Sequence, residues 1–294
     1  MNGEQPAETA AAAASAYRQH SRLFEDNRFV YPVVSRRSKG VSVGVNLNPD
    51  KVCNFDCIYC QVDRRSESET RFVEMTQLLD ELRSVLELVQ TGELFKHPKF
   101  AETPAPLRRL NDIAFSGDGE PTTFRNFDDI IEQAATVKRD TVGDDVKMVL
   151  ITNASMFHRS HVQRGLGLLD ENNGQIWAKL DAGTEDYFKL IERTKIPFQQ
   201  ILDNITLAAQ QRAILIQSLF MTVYGTPPDD HEISEFCQRL AEVIAAGGQL
   251  ELIQIYTVAR QPAESFVGSL TEEQLDAIAE RVRSTSRLRT AVYP

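Results

Sequence analysis

Cysteine is scarce in this 294-residue chain, which has only four. A disulfide framework, the device of small secreted domains, does not suit so few thiols in so long a chain. Histidine is nearly as scarce, and none of His20, His97, His158, His161 and His231 forms the paired spacing of a structural zinc site. No run of 18 or more apolar residues occurs, so no membrane-spanning helix is expected. The stretch Met1–Glu8 has no basic residue, and the alanine run Ala10–Ala14 is too short and too mild for an export-signal core. The expected compartment is therefore the cytoplasm, where thiols stay reduced. Basic charge is also in deficit, with 32 Lys and Arg against 42 Asp and Glu and a net charge of −10. That balance does not offer the basic footprint that bulk nucleic-acid binding requires. Arg36-Arg37-Ser38-Lys39 and Arg64-Arg65 nonetheless flank the cysteine-rich stretch, which keeps an anionic substrate in view.

What is present is concentrated. Three of the four cysteines fall in Cys53-Asn54-Phe55-Asp56-Cys57-Ile58-Tyr59-Cys60, a C-x3-C-x2-C spacing. Thiolates that close in sequence point to one metal centre. Iron–sulfur clusters are held by Cys thiolates, usually four. Three local thiolates leave one iron of a 4Fe–4S cluster open to a substrate or cofactor, much as a three-ligand zinc stays open. A zinc site would need a fourth ligand from a second pair, and the sequence has none. Cys237 lies alone in the amphipathic segment 232–245 and reads as a buried helix residue.

At these residues the chain resembles the radical S-adenosylmethionine (SAM) superfamily, whose signature is C-x3-C with an aromatic beside the last cysteine. Cys53, Cys57, Tyr59 and Cys60 match it. The resemblance implies a 4Fe–4S cluster on Cys53, Cys57 and Cys60, SAM at the open iron, and Tyr59 beside that site. Softer matches at 111–124, 150–155 and 179–184 resemble short members related to the wybutosine-synthesis enzymes.

The rest of the chain reads as alternating strands and helices. Residues 1–39 are expected to be a tail with one helix, from about Ala7 into Tyr17, on helix propensity. Strands are expected at 41–47, 112–115, 146–151, 175–180, 214–223 and 251–257, with a last short one at 288–293. Helices are expected at 75–89, 127–137, 157–169, 184–191, 198–212, 228–246 and 271–284, the last opened by the Thr271–Gln274 cap. Six strands each followed by a helix imply parallel βαβ units. The expected fold is α/β, a partial (β/α)6 barrel in a single domain over residues 40–294, which is also the core the resemblance implies. Function in such barrels collects at the C-terminal strand ends.

Polar residues do collect there. The second core strand runs into Gly117-Asp118-Gly119-Glu120, whose glycines permit close backbone approach to a ligand. This resembles the family's Gly-Gly-Glu motif, which holds the SAM amino group, with Asp118 inserted. The third strand ends at Asn153, whose amide can both donate to and accept from ribose hydroxyls. Lys179 and Asp181 share one face of the fourth strand end and read equally as ligand contacts or as an ion pair. Gln217 stands on the fifth strand, Tyr256 on the sixth, and Arg260 just beyond. The cofactor-site candidates are Tyr59, Gly117, Asp118, Gly119, Glu120, Asn153, Asp181 and Gln217. The substrate-side candidates are Lys179, Asp181, Tyr256 and Arg260. Trp177 reads as packing.

The activity the resemblance implies is reductive SAM cleavage to a 5′-deoxyadenosyl radical, which takes hydrogen from a small-molecule or nucleotide-type substrate. It also implies a one-electron donor such as flavodoxin or ferredoxin. An activase acting on a protein partner, and a non-enzymatic metal or iron–sulfur binding module, are the alternatives. Gly117–Glu120 and Asn153 favour the enzyme readings, since a binding module has no use for them.

Overall fold

The computed structural model describes residues 24–64, 68, 70 and 72–294. The expected N-terminal helix, and Arg65, lie outside the described residues. The chain groups into two compact units, Met1–Val52 with Ser68–Leu150 and Arg164–Gln175, and Cys53–Glu67 with Ile151–Gln163 and Ile176–Pro294. Among the described residues no helix is long and apolar enough to cross a membrane.

The first unit is built on β1 (Val30–Ser35), β2 (Gly40–Val45), β3 (Leu110–Phe115) and β4 (Lys147–Thr152), adjacent in that order. β2, β3 and β4 run parallel, with Val43 beside Ile113 and Ile113 beside Met148. Strand β1 falls within residues 1–39, where only a tail and one helix were expected. It pairs antiparallel with β2, Pro32 opposite Val43. Proline donates no hydrogen bond and is tolerated on such a terminal strand. Helix α1 (Met75–Thr91) follows the expected period, burying Leu78, Leu82, Val85, Leu86 and Val89, and packs on α2 (Phe127–Val142). Buried Glu81 on the same face accepts from the backbone N–H groups of Arg28, Phe29 and Val30 at 3.0, 2.8 and 3.0 Å. That fixes where the chain enters β1.

Sequence places Arg36, Arg37 and Lys39 beside the cysteine stretch. In the structure they form the turn before the first residue of β2, whereas the chain leaves towards Cys53 from its last. A six-residue strand spans about 20 Å, so these cations belong to the other end of β2.

The unit boundaries fall within α3 (Ser160–Glu171) and β5 (Gly174–Lys179), and the second unit continues with α4 (Glu185–Glu192), α5 (Phe198–Gln211), β6 (Ile214–Leu219), β7 (Met221–Val223), α6 (Asp230–Ala245), β8 (Leu250–Tyr256), β9 (Val267–Ser269), α7 (Glu272–Ser286) and β10 (Thr290–Tyr293). β5, β6, β8 and β10 are parallel neighbours, and the register aligns Lys179 with Gln217, Gln217 with Gln254, and Leu219 with Tyr256. Thr271 and Gln274 form the expected capping box of α7. The strand expected over 214–223 is two strands. Phe220 breaks it by turning its buried ring edge-on to Phe236 at 5.2 Å, and Met221–Val223 pairs instead with β9.

Candidate cluster and cofactor site

The cysteine loop is anchored by the residues between its cysteines. Phe55, Ile58 and Tyr59 are buried, while Cys53, Cys57 and Cys60 are only half-buried. Phe55 meets Phe188 of α4 edge-on at 5.9 Å. The last carbonyls of a helix lack partners within it. Here those of Ile191 and Glu192 accept from the N–H groups of Ile58 at 2.9 Å and Asp56 at 3.1 Å. The N–H of Cys60 turns back to the carbonyl of Cys57 at 3.0 Å. Asn54 donates through Nδ2 to Ser155 Oγ at 2.7 Å and accepts from Asn153 Nδ2 at 2.9 Å, while Asn153 Oδ1 accepts from the Ser155 N–H at 3.1 Å. Asn153 thus ties the turn after β4 to the cysteine loop.

Behind the loop runs a buried polar chain. The Cys57 thiol donates to Glu192 Oε2 at 2.6 Å. The Tyr59 hydroxyl lies 2.7 Å from Glu192 Oε1 and 2.6 Å from Asp181 Oδ2. Lys179 Nζ donates to Asp181 Oδ2 at 2.8 Å and to the Tyr256 hydroxyl at 3.0 Å, between the rings of Tyr59 and Tyr256. Asp181 Oδ1 accepts from the Leu219 N–H at 2.6 Å, and Gln217 donates to Gln254 at 3.0 Å. A phenol carries one proton, so Tyr59 cannot donate to two carboxylates. Burial, reinforced by the charge of Asp181, pushes the Glu192 carboxyl up to about 8. Burial first, then the neighbouring acidic groups, raises the Cys57 thiol and the Tyr59 phenol as well. For Lys179 burial alone would favour the neutral amine, but Asp181, Tyr256 and Glu192 outweigh it and hold the ammonium.

The Gly117–Glu120 loop belongs to the first unit. Its glycines are needed because the chain itself approaches. A Cβ on Gly117 would lie 2.2 Å from Asn46 Oδ1, and one on Gly119 would lie 2.2 Å from the Val52 carbonyl. The inserted Asp118 accepts from Asn46 Nδ2 at 2.7 Å, and its N–H donates to Asn46 Oδ1 at 3.1 Å. Glu120 is buried and caps the turn Pro121–Thr123, accepting from the Thr122 N–H at 3.0 Å.

Sequence reasoning thus named the cysteine loop and, separately, the Gly117–Glu120 loop, and missed the residues that hold each. Lys179, Asp181, Tyr59 and Tyr256 meet in one network, joined by Gln217 through a long contact to Tyr256 at 3.5 Å. Arg260 is exposed, and its carbonyl receives Gln61 at 3.4 Å. Trp177 is buried as expected, and so is Cys237. Glu192, Asn46 and Asn54 were not among the candidate site residues. Only Asn54, inside the cysteine motif, had a positional signal.

The donor set fits an iron–sulfur cluster. It comprises three soft thiols on one anchored loop, with Arg64 donating to Cys60 Sγ at 3.6 Å and also engaging Cys53, a cation suited to an anionic cluster. Among the described residues no three His, Cys, Asp or Glu side chains close on a single bare ion. A cluster holds its thiolates farther apart than one ion does.

Comparison with known proteins agrees with this chemistry. The family model described as the radical SAM superfamily matches residues 47–240, more than half of the chain. Among curated relatives, GTPase Obg of Brachyspira hyodysenteriae is 23% identical over 252 residues, covering 83% of this chain and 32% of that protein. A UPF0026 protein of Methanocaldococcus jannaschii is 30% identical over 162 residues, covering 55% and 43%. The chain therefore spans less than half the length of these relatives. Among solved structures, TYW1 with a lysine–pyruvate adduct bound matches with a TM-score of 0.53 and 17% identity over 93% of this chain and 81% of that one. Streptococcus suis SuiB bound to SAM matches with a TM-score of 0.57 and 10% identity, over 88% and 52%. These likenesses establish the fold as the expected partial (β/α)6 barrel.

Proposed function

The chain belongs to the radical SAM superfamily, and from that premise we propose that it cleaves SAM reductively and directs the radical to a small-molecule or nucleotide-type substrate. The superfamily's cofactors are a 4Fe–4S cluster and SAM. When bound, they supply one-electron cleavage of SAM to methionine and a 5′-deoxyadenosyl radical, which takes a hydrogen atom from the substrate. The observation that carries the reading is the cysteine loop, with its apolar residues buried and its three thiols left half-buried.

In this reading Cys53, Cys57 and Cys60 hold the cluster, and Tyr59 braces the loop through Glu192 and Asp181. Gly117, Asp118, Gly119 and Glu120 receive the methionine end of SAM. Asn153 fixes the turn on which the ribose rests. Lys179, Gln217, Tyr256 and Arg260 face the substrate. Lys179 is held as an ammonium by Asp181, so its role is to orient an acidic or polar substrate group by charge. The electron donor is a flavodoxin or ferredoxin, and the setting is the cytoplasm.

Anaerobic reconstitution with iron and sulfide, followed by SAM and dithionite, tests the reading. About four irons per chain and 5′-deoxyadenosine release are expected. Stoichiometric zinc after iron-replete anaerobic preparation, or no SAM cleavage by iron-loaded protein, refutes it. A substrate-derived glycyl-type radical on an added protein would favour the activase alternative.

A further inference from the structure

The cysteine loop carries a cation of its own. Arg64 lies four residues past Cys60, on the stretch that leaves the motif, and is half-buried. Its guanidinium is held at three points. Nη1 donates to the Phe55 carbonyl at 3.2 Å, Nη2 donates to Cys60 Sγ at 3.6 Å, and a further hydrogen bond reaches Cys53. Phe55 is itself buried against Phe188, so the carbonyl that anchors the cation is fixed. The guanidinium thus spans the first and last cysteines of the motif. It stays charged at any working pH and presents its donors in a rigid plane.

The other side of the loop has the opposite character. Behind Cys57 stand Glu192, 2.6 Å from the thiol, and Asp181, which meets Glu192 through the Tyr59 hydroxyl. Lys179 lies beyond Tyr59 and is paired with Asp181 at 2.8 Å. Asp56 and Asp63 are exposed on the loop and just past it. Arg64 therefore brings positive charge into contact with two of the three thiols, in otherwise acidic surroundings. An iron–sulfur cluster on three thiolates is anionic and becomes more so when it accepts an electron. Hydrogen bonds to its sulfurs and the charges around it set its reduction potential. Carboxylates oppose the added electron, and an adjacent cation favours it.

We propose that Arg64 is the counter-charge of the cluster and raises its reduction potential, bringing it within reach of the electron donor. The assignment rests on the cluster reading of Cys53, Cys57 and Cys60 and adds a residue outside the C-x3-C-x2-C spacing. A unit charge a few ångströms away acts strongly in a buried site, and half-burial screens part of it. Loss of the charge should therefore cost about tenfold in the reduction equilibrium, which is about 59 mV for a one-electron couple.

The test is a redox titration of the reconstituted cluster followed by electron paramagnetic resonance, run anaerobically without SAM on parent, Arg64→Gln and Arg64→Lys proteins, with iron counted in each. Glutamine keeps a hydrogen-bond donor and loses the charge, whereas lysine keeps the charge and loses the planar fork. The midpoint potential of Arg64→Gln should fall by that amount, and Arg64→Lys should recover most of the difference, both with parent-like iron. Iron lost from Arg64→Gln alone, with Arg64→Lys at the parent potential, also assigns the role to charge. Equal potentials in all three proteins, the same fall in both variants, or iron lost from both makes Arg64 a brace of the loop; each overturns the assignment and leaves the cluster reading standing. A parent that takes up no iron–sulfur cluster overturns both.

Discussion

Replacing Lys179 with methionine would test stability before it tests catalysis. Lys179 Nζ sits 2.8 Å from Asp181 Oδ2, and the Asp181 side chain is fully buried. Methionine fills a similar volume but leaves Asp181 without its cation. Removing one partner of a buried ion pair costs about 3–5 kcal/mol, mostly because the other charge is stranded. Asp181 keeps the Tyr59 hydroxyl and the Leu219 N–H, so the lower end applies. At about 2–4 °C per kcal/mol for a chain near this size, Tm should fall by roughly 6–12 °C. The double variant Lys179→Met/Asp181→Asn should recover most of that loss. An asparagine can still accept from Leu219, and no charge remains to bury. The pH dependence follows from the raised Lys179 pKa. A cation whose folded pKa lies above its unfolded value contributes stability that is complete below the unfolded value and lost only as pH rises past the folded one. The cost of Lys179→Met should therefore stay constant from about pH 6 to 7 and grow as the pH passes the Glu192 value of about 8, because the Lys179 charge also holds that carboxyl down. Anaerobic urea titration of the four cycle members measures all of this. Additive effects of the two substitutions, or a loss of less than about 1 kcal/mol in the single variant, would refute a buried, energetically coupled pair.

Other expectations are briefer. Cys53→Ala, Cys57→Ala and Cys60→Ala should each fail to retain iron on anaerobic gel filtration, whereas Cys237→Ala should retain it with only a modest drop in Tm. Gly119→Ala should force the Val52 carbonyl to move by about 1 Å, at a cost of about 1–3 kcal/mol, and raise the SAM dissociation constant; parent-like values of both would show that the loop tolerates a side chain. Asn153→Ala should cut the cysteine loop from the turn after β4, seen as a changed electron paramagnetic resonance signal of the reduced cluster with SAM; an identical spectrum would leave Asn153 without that role. Arg260→Ala should preserve substrate-free 5′-deoxyadenosine formation and lose its stimulation by the substrate; loss of the substrate-free reaction would move Arg260 into the cofactor site.

Much of the architecture was legible because it is periodic. Helix α1 repeats apolar residues at helical spacing, and β4 is an apolar run suited to burial on both faces. The β/α alternation then left few topologies open. What failed was decided by single contacts. Pro32 is tolerated because its strand pairs on only one side within its unit, and Phe220 breaks a continuous apolar run because Phe236 offers it a better partner. Neither partner can be read from local composition.

The site divides in the same way. Sequence by itself determined the chemistry: three thiols at a spacing that points to a shared metal centre, and polar residues at the ends of successive strands. Tertiary structure alone decided how those groups are used. Glu192 stands 135 residues from Cys57 yet shares its thiol proton. Gly117 and Gly119 turn out to be small because Asn46 and Val52 press on them. Ligand type is written in residue identity and spacing, which are local. Protonation, orientation and close approach depend on burial and on neighbours brought together from distant parts of the chain, and only the folded structure supplies those.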